Sequence, residues 1–124
     1  MIDMIDRLII AGGRDRKLSC NEYQMLAELL PVGEVVSGGA RGVDRCGESW
    51  AKHHCLKVKV FFPDYTGYWR VAPLLRNEKM AEYSTALAIF PGGFGSADML
   101  RRARAHRLTI YDFRKPSRGF FLFD

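Results

Sequence analysis

Leu87-Ala88-Ile89-Phe90-Pro91-Gly92-Gly93-Phe94-Gly95-Ser96-Ala97-Asp98-Met99-Leu100 is the stretch that decides the fold. It opens on a short apolar run with the character of a buried strand and breaks at Pro91. Three glycines follow within four residues, then Ser96, then a segment of helical periodicity. Strand, glycine turn and helix in that order build a phosphate-binding loop. Glycines let the backbone approach a ligand closely, and the first helical turn offers unpaired N–H groups at a positive dipole end.

The same unit recurs along the chain. Arg7 to Ala11 reads as a strand ended by Gly12-Gly13. Ser19, three residues before Glu22, gives a capping box for a helix from about Cys20 to Leu30. Glu34 to Ser37 is the second strand, and Gly38-Gly39-Ala40-Arg41-Gly42 the turn into a helix from Val43 to His54, with Val43, Cys46, Trp50 and Ala51 facing inward. Leu56 to Phe62 alternates apolar and basic residues, as a strand near a sheet edge does. Asp64 to Arg70 reads as an aromatic-rich loop. Pro73 suits the first turn of a helix running to about Tyr83, with Leu74, Leu75, Met80 and Ala81 inward. Ala86 to Phe90 is the fourth strand, about Ser96 to His106 the last helix, and Leu108 to Tyr111 the fifth strand. The tail from Pro116 to Asp124 carries Phe120, Phe121 and Phe123, and either adds an edge strand or crosses the body.

Strand and helix alternating four times before a last strand imply a mostly parallel five-stranded sheet with helices on both faces. The 124 residues fit one domain, residues 1–124, with 113–124 as a tail packing on it. In such folds ligands bind beyond the carboxyl ends of the strands. The loops Gly12 to Arg16, Gly38 to Gly42, Asp64 to Arg70 and Pro91 to Ser96 all follow strands, so all four should open on that rim.

Composition narrows the classes. Hydrophobic residues make up 48% of the chain, enough for a real core, and no apolar run approaches a membrane span. The acidic Met1-Ile2-Asp3-Met4-Ile5-Asp6 is unlike a signal peptide, so a cytoplasmic protein is expected. Cys20, Cys46 and Cys55 lack metal spacing, and the neighbours His53, His54 and Cys55 point to different helix faces; no metal and no cofactor are expected. The formal charge of +5 comes largely from Arg101, Arg102, Arg104, Arg107, Arg114, Lys115 and Arg118. Such a run suits nucleic acid, a phosphorylated ligand or plain solvation.

No GxxxxGK[ST] loop and no G-x-S-x-G elbow is present, and Gly93-Phe94-Gly95 lacks the third glycine of a dinucleotide fingerprint. A phosphate site fits better. Gly92, Gly93 and Gly95 clear space for an anion and Ser96 adds a hydroxyl. Gly38, Gly39 and Arg41 offer a second set of donors, and Arg76 and Asn77 reach the same rim.

Gly38-Gly39-Ala40-Arg41-Gly42-Val43-Asp44, then Arg76-Asn77 with Met80, then Pro91 to Met99 resemble the SLOG superfamily, and within it the small YspA-like, YpsA-related branch. The resemblance spans Arg7 to about Asp112. It implies a Rossmann-like three-layer α/β/α domain that binds nucleotides or nucleotide-derived ligands. Relatives in the superfamily include LOG-type phosphoribohydrolases, which cleave the base from a cytokinin nucleotide, and DNA-processing protein A, which binds single-stranded DNA. The LOG pattern is PGGxGTxxE after an Arg-Lys pair. Here Ser96 stands for the threonine, Asn77 for the lysine and Met99 for the catalytic glutamate, while Arg76 matches the substrate-contacting arginine. The Ala-Asp-Met version is the normal form of the YspA-like branch.

Three functions follow as expectations. The first is binding of a nucleotide-derived phosphorylated ligand as a sensor, with Asp44 and Asp64 on the ribose and Tyr68 or Trp69 stacked on a base. The second is N-glycosidic hydrolysis of a nucleoside monophosphate, where a carboxylate must stabilise the oxocarbenium-like sugar; Asp98, Asp44 and Glu78 are the candidates in falling order. The third is single-stranded nucleic-acid binding through Arg101, Arg102, Arg104 and Arg107. A homodimer is compatible with so small a domain.

Overall fold

A computed structural model describes residues 4–115. Five strands, β1 (Ile5–Ala11), β2 (Val32–Ser37), β3 (Lys57–Val60), β4 (Ala86–Ile89) and β5 (Thr109–Asp112), form one sheet in the order β3-β2-β1-β4-β5. Every neighbouring pair is parallel, with Ile9 opposite both Val36 and Leu87. The helices are α1 (Cys20–Ala27), α2 (Val43–His53), α3 (Tyr65–Tyr68), α4 (Ala72–Tyr83) and α5 (Phe94–Ala105), with a 3-10 turn at Trp69–Val71. This is the expected three-layer Rossmann-like α/β architecture.

Alternation along the central strands builds the two faces. Leu8 and Ile10 of β1, with Ala86 and Ala88 of β4, join Leu26 of α1 and Val43, Trp50 and Ala51 of α2 on one side. Ile9 and Ala11, with Leu87 and Ile89, join Met80 and Ala81 of α4 and Met99, Leu100 and Ala103 of α5 on the other. Strands buried on both faces need continuous apolar runs, which β1 and β4 supply. Each fully buried leucine or isoleucine contributes about 1.5–3 kcal/mol. The edge strand β3 is different: its lysines Lys57 and Lys59 are exposed and its valines half-buried, as the alternating sequence requires.

Local signals set most helix starts. Ser19 Oγ accepts the Glu22 N–H (3.1 Å), and Glu22 Oε1 accepts the Ser19 N–H (2.9 Å), closing the capping box on α1. Four expectations need correction. Asp64 to Arg70 is not an irregular loop: Asp64 accepts the Thr66 N–H (3.0 Å) and caps α3, which runs into the 3-10 turn. α5 begins at Phe94, two residues before the expected Ser96, so Gly95 and Ser96 lie inside its first turn. α1 ends at Ala27, short of Leu30. Leu75, expected inward, is exposed. The tail from Pro116 to Asp124 lies outside the described residues; just before it, the Phe113 ring stands 5.3 Å from that of Phe90. No described helix is long and apolar enough to cross a membrane.

Candidate functional site

Crossovers from β1 run to β2 on one side and those into β4 come from the other, so a crevice opens at the carboxyl ends between these strands. A cleft of about 620 Å³ lies there, within the range of small-molecule sites. The β1 loop, the β2 turn, α3, the start of α4 and the first turn of α5 all contribute to its walls.

Beneath the cleft lies a knot of glycine backbones. Gly13 N–H donates to Pro91 O (2.8 Å) and Val43 N–H to Gly13 O (3.0 Å), tying the β1 and β4 turns to the start of α2. A Cβ on Gly92 would stand 2.7 Å from Gly13 N and 2.9 Å from Gly12 C. Gly92 is therefore needed by the protein's own packing and does not line the cleft. Gly93 and Gly95 do line it, and they differ in kind. A Cβ at either would meet no described atom within 4 Å, and neither has positive φ. Neither a clash with another element nor a positive φ requires glycine at these two positions.

The α5 N-terminus faces this open space. Gly93 caps it without any side-chain bond, and the first intrahelical bond runs from Ala97 N–H to Gly93 O. The N–H groups of Phe94, Gly95 and Ser96 thus precede the helical ladder, as the first donors of any helix do. The Ser96 side chain also lines the cleft.

The β2 turn behaves oppositely. Gly39 N–H donates to Ser37 Oγ (3.1 Å) and Ala40 N–H to Asp44 Oδ2 (3.3 Å), so donors expected to face a ligand are consumed internally. Ser37 Oγ in turn donates to Glu48 Oε2 (2.6 Å). Asp44 itself lines the cleft and is only 8% exposed. Burial pushes its carboxyl up to about 6, with Glu48 adding to the rise, against the backbone N–H of Ala40, the charge of Arg76 and the N–H of Gly38.

Arg76 stands across from it. Its Nη1 donates to Gly38 O, and its Nε to Asn77 Oδ1 (3.1 Å). Burial lowers its pKa, opposed by Asp44 and Tyr65, yet a guanidinium stays charged at any working pH. Asn77 is buried and its Nδ2 donates to Gly95 O (3.3 Å) and Asp98 Oδ2 (3.0 Å).

The other expected site residues fall outside the cleft. Asp98 is 3% exposed and behind the wall, bonded to Asn77, to Arg102 Nε (2.8 Å) and to Arg101. Burial alone would raise its pKa, but these donors outweigh it and hold the carboxyl below its ordinary value. Met99 takes the place on the cleft wall. Glu78 pairs with Arg102 (3.1 Å) and His106 (2.6 Å) on the α4–α5 seam. Arg41 is exposed and pairs with Asp15 (2.7 Å) at the mouth. Asp64 is spent on capping α3, and Tyr68 and Trp69 are exposed beyond the cleft.

Gly12, Arg14, Tyr65, Arg70 and Phe94 also line the cleft; sequence reasoning placed their loops on the rim without naming them as site residues. Arg14 belongs to a loop already assigned to the rim, which was the available signal. Tyr65 and Phe94 are aromatic and at least half-exposed, so the cleft has flat apolar surfaces as well as donors. Among the described residues no three His, Cys, Asp or Glu side chains converge to hold a metal ion. Arg101 and Arg102 are held by Asp98, so the basic run of α5 is not a continuous free stripe. No family model matches the chain, and no curated protein is significantly similar to it.

Proposed function

We propose that this protein binds a nucleotide or nucleotide-derived phosphorylated ligand in the cleft, as a sensor or ligand-binding protein of the SLOG superfamily's YspA-like branch. One observation carries the reading. Gly93 and Gly95 leave open space beside an uncapped helix N-terminus, in a chain that has no packing need for glycine there. A phosphate oxygen against those N–H groups gives both glycines a purpose. Arg76 supplies the cation, and Tyr65 and Phe94 offer stacking surfaces for a base. The same reading makes the partner a small molecule and the location cytoplasmic.

A nucleotide panel screened by thermal shift and calorimetry tests it. Adenosine monophosphate or another phosphorylated nucleoside should raise the melting temperature of the wild type and bind Arg76→Ala at least about tenfold more weakly. No response to any member, with Arg76→Ala indistinguishable from wild type, would overturn the reading.

The position of Asp44 favours one second reading, N-glycosidic hydrolysis of a nucleoside monophosphate. A cleft carboxyl pushed up to about 6 ionises near neutral pH, where it can stabilise positive charge on the sugar as the base leaves, or take a proton from water. Asp98 gives up first place among the carboxylates because its oxygens are already engaged. Free base and ribose 5-phosphate should form from a nucleoside monophosphate, and Asp44→Asn should stop it. Turnover unaffected by Asp44→Asn would exclude this carboxylate.

A further inference from the structure

Toward the sheet the α4 and α5 helices bury Met80, Ala81, Leu100 and Ala103 in one apolar cluster, and across their outer seam Glu78 pairs with Arg102 and His106. At the cleft end the buried contact becomes polar too: Asn77 is 5% exposed and Asp98 3%. Burying an amide and a carboxylate is costly unless every polar atom is paired, and apolar residues would hold two helices together at least as well. Arg102 joins Asp98 to Glu78 across the two helices, but that pairing does not call for a buried amide at Asn77.

The bonding pattern supplies a reason. The Asn77 oxygen accepts a hydrogen bond from the Nε–H of Arg76 on α4 (3.1 Å), while its amide nitrogen donates to the Gly95 carbonyl in the first turn of α5 (3.3 Å). One side chain thus ties the cleft's cation to the helix end that faces it. Asp98 Oδ2 accepts the amide's other proton (3.0 Å), and Arg101 and Arg102 fix Asp98. With Nη1 on Gly38 O, the guanidinium is held at two points of its plane, and Nη2 has no hydrogen-bond partner among the described residues.

We infer that Asn77 is a positioning residue: it locks Arg76 to the first turn of α5 so that Nη2 and the helix N–H groups converge on one anion, and Asp98 acts one step further out by orienting Asn77. Asp98 is not part of the cleft lining, and Asn77, which is, has its oxygen and both amide protons already bonded within the protein. This inference rests on the reading of the cleft as a phosphate site.

The test separates the two claims. In the free protein, solvent exchange of the Arg76 Nε–H is followed by NMR in wild type and Asn77→Ala. Affinity for adenosine monophosphate and for inorganic phosphate is measured by calorimetry in wild type, Asn77→Ala, Arg76→Ala and the double variant. The expected result is exchange about tenfold faster or more in Asn77→Ala, with affinity about tenfold weaker. In the Arg76→Ala background the same substitution should change affinity by less than about twofold, because a residue that works through Arg76 has nothing left to position. Exchange at the wild-type rate, or an equal affinity loss with and without Arg76, overturns the inference. Failure of both anions to bind the wild type sinks the phosphate reading instead, and the exchange rate still decides whether Asn77 orders Arg76. Should Asn77→Ala not fold, Asn77→Ser leaves a smaller void and a hydroxyl for Asp98, and the same readouts apply.

Discussion

Alanine at Gly95 and alanine at Gly92, three residues apart in one turn, should move stability in opposite directions. At Gly95 the added methyl meets no described atom within 4 Å, the backbone is helical, and alanine restricts the unfolded chain. Glycine to alanine inside a helix is worth about 0.8–1 kcal/mol; in the first turn about half of that, ~0.5 kcal/mol, is a fair expectation. An unfolding entropy of about 2.1 cal/mol/K per residue gives ~0.26 kcal/mol/K for the 124 residues. Gly95→Ala should therefore melt about 2 °C higher than wild type. At Gly92 the methyl would stand 2.7 Å from Gly13 N, an atom already bonded to Pro91 O. Backbone cannot yield as a flexible side chain can, so a cost of ~2 kcal/mol and a fall of about 8 °C are expected.

Binding should sort the same variants differently. The Gly95 methyl occupies space that a phosphate oxygen needs in order to reach the helix N–H groups. Losing one hydrogen bond to a charged group costs about 1.5–3 kcal/mol, or roughly 10- to 100-fold in Kd. Differential scanning calorimetry measures the first effect and titration calorimetry with adenosine monophosphate the second. A variant more stable than wild type and defective in binding is the signature of a glycine kept for a ligand. Wild-type affinity in Gly95→Ala, or a lowered melting temperature, would refute the argument.

Asp44 makes a pH prediction. Its folded carboxyl lies at about 6 against an ordinary 3.8, so the native state carries no penalty from this group below about pH 4, loses stability as the pH rises through 6, and stays at the lower level above. Asp44→Asn should be more stable than wild type by about 1–3 kcal/mol at pH 8, with the gain vanishing near pH 4, as urea titrations at the two pH values will show. Arg41→Ala should change stability by less than about 0.5 kcal/mol, since both members of its pair with Asp15 are largely exposed; chemical denaturation checks this. Tyr65→Ala should weaken adenosine monophosphate by about 1 kcal/mol or more while Trp69→Ala leaves it unchanged, because only the first lines the cleft; calorimetry reads the difference.

Much of this was legible in the sequence, for a physical reason. Strand and helix periods differ, glycine turns punctuate them, and parallel connection forces every βα turn to the same rim. The parallel sheet, its two helical faces and the shared rim follow from those facts without coordinates; the strand order and the internal use of the β2-turn donors do not. What escaped depends on angular phase and on partners distant in the chain. No side chain caps α5, so its start at Phe94 has no local marker. The 64–70 segment folds into a short helix and a 3-10 turn, and that winding brings Tyr65 to the cleft while Tyr68 and Trp69 turn away. Asp98 and Met99 are neighbours about 100° apart on α5, and only the position of α4 decides which one meets Asn77 and which one the cleft.

The two glycine turns carry the last step. They look equivalent as sequence, since both combine paired glycines with a small residue and a following helix. Their hydrogen bonds make them opposites. The β2 turn spends the N–H groups of Gly39 and Ala40 on Ser37 and Asp44 and then presents the Asp44 carboxyl to the cleft. The β4 turn spends no side chain on its helix and presents its N–H groups to the cleft, while Arg76 donates to Gly38 O of the β2 turn and is tied to α5 through Asn77. A second phosphate placed on the β2 turn would meet the Asp44 carboxylate, with Arg76 the one charge there to offset it among the described contacts. Hydroxyl groups, which can donate to Asp44, suit that end. On the proposed reading, a phosphorylated ligand would lie with its phosphate on α5 and its hydroxylated part toward Asp44.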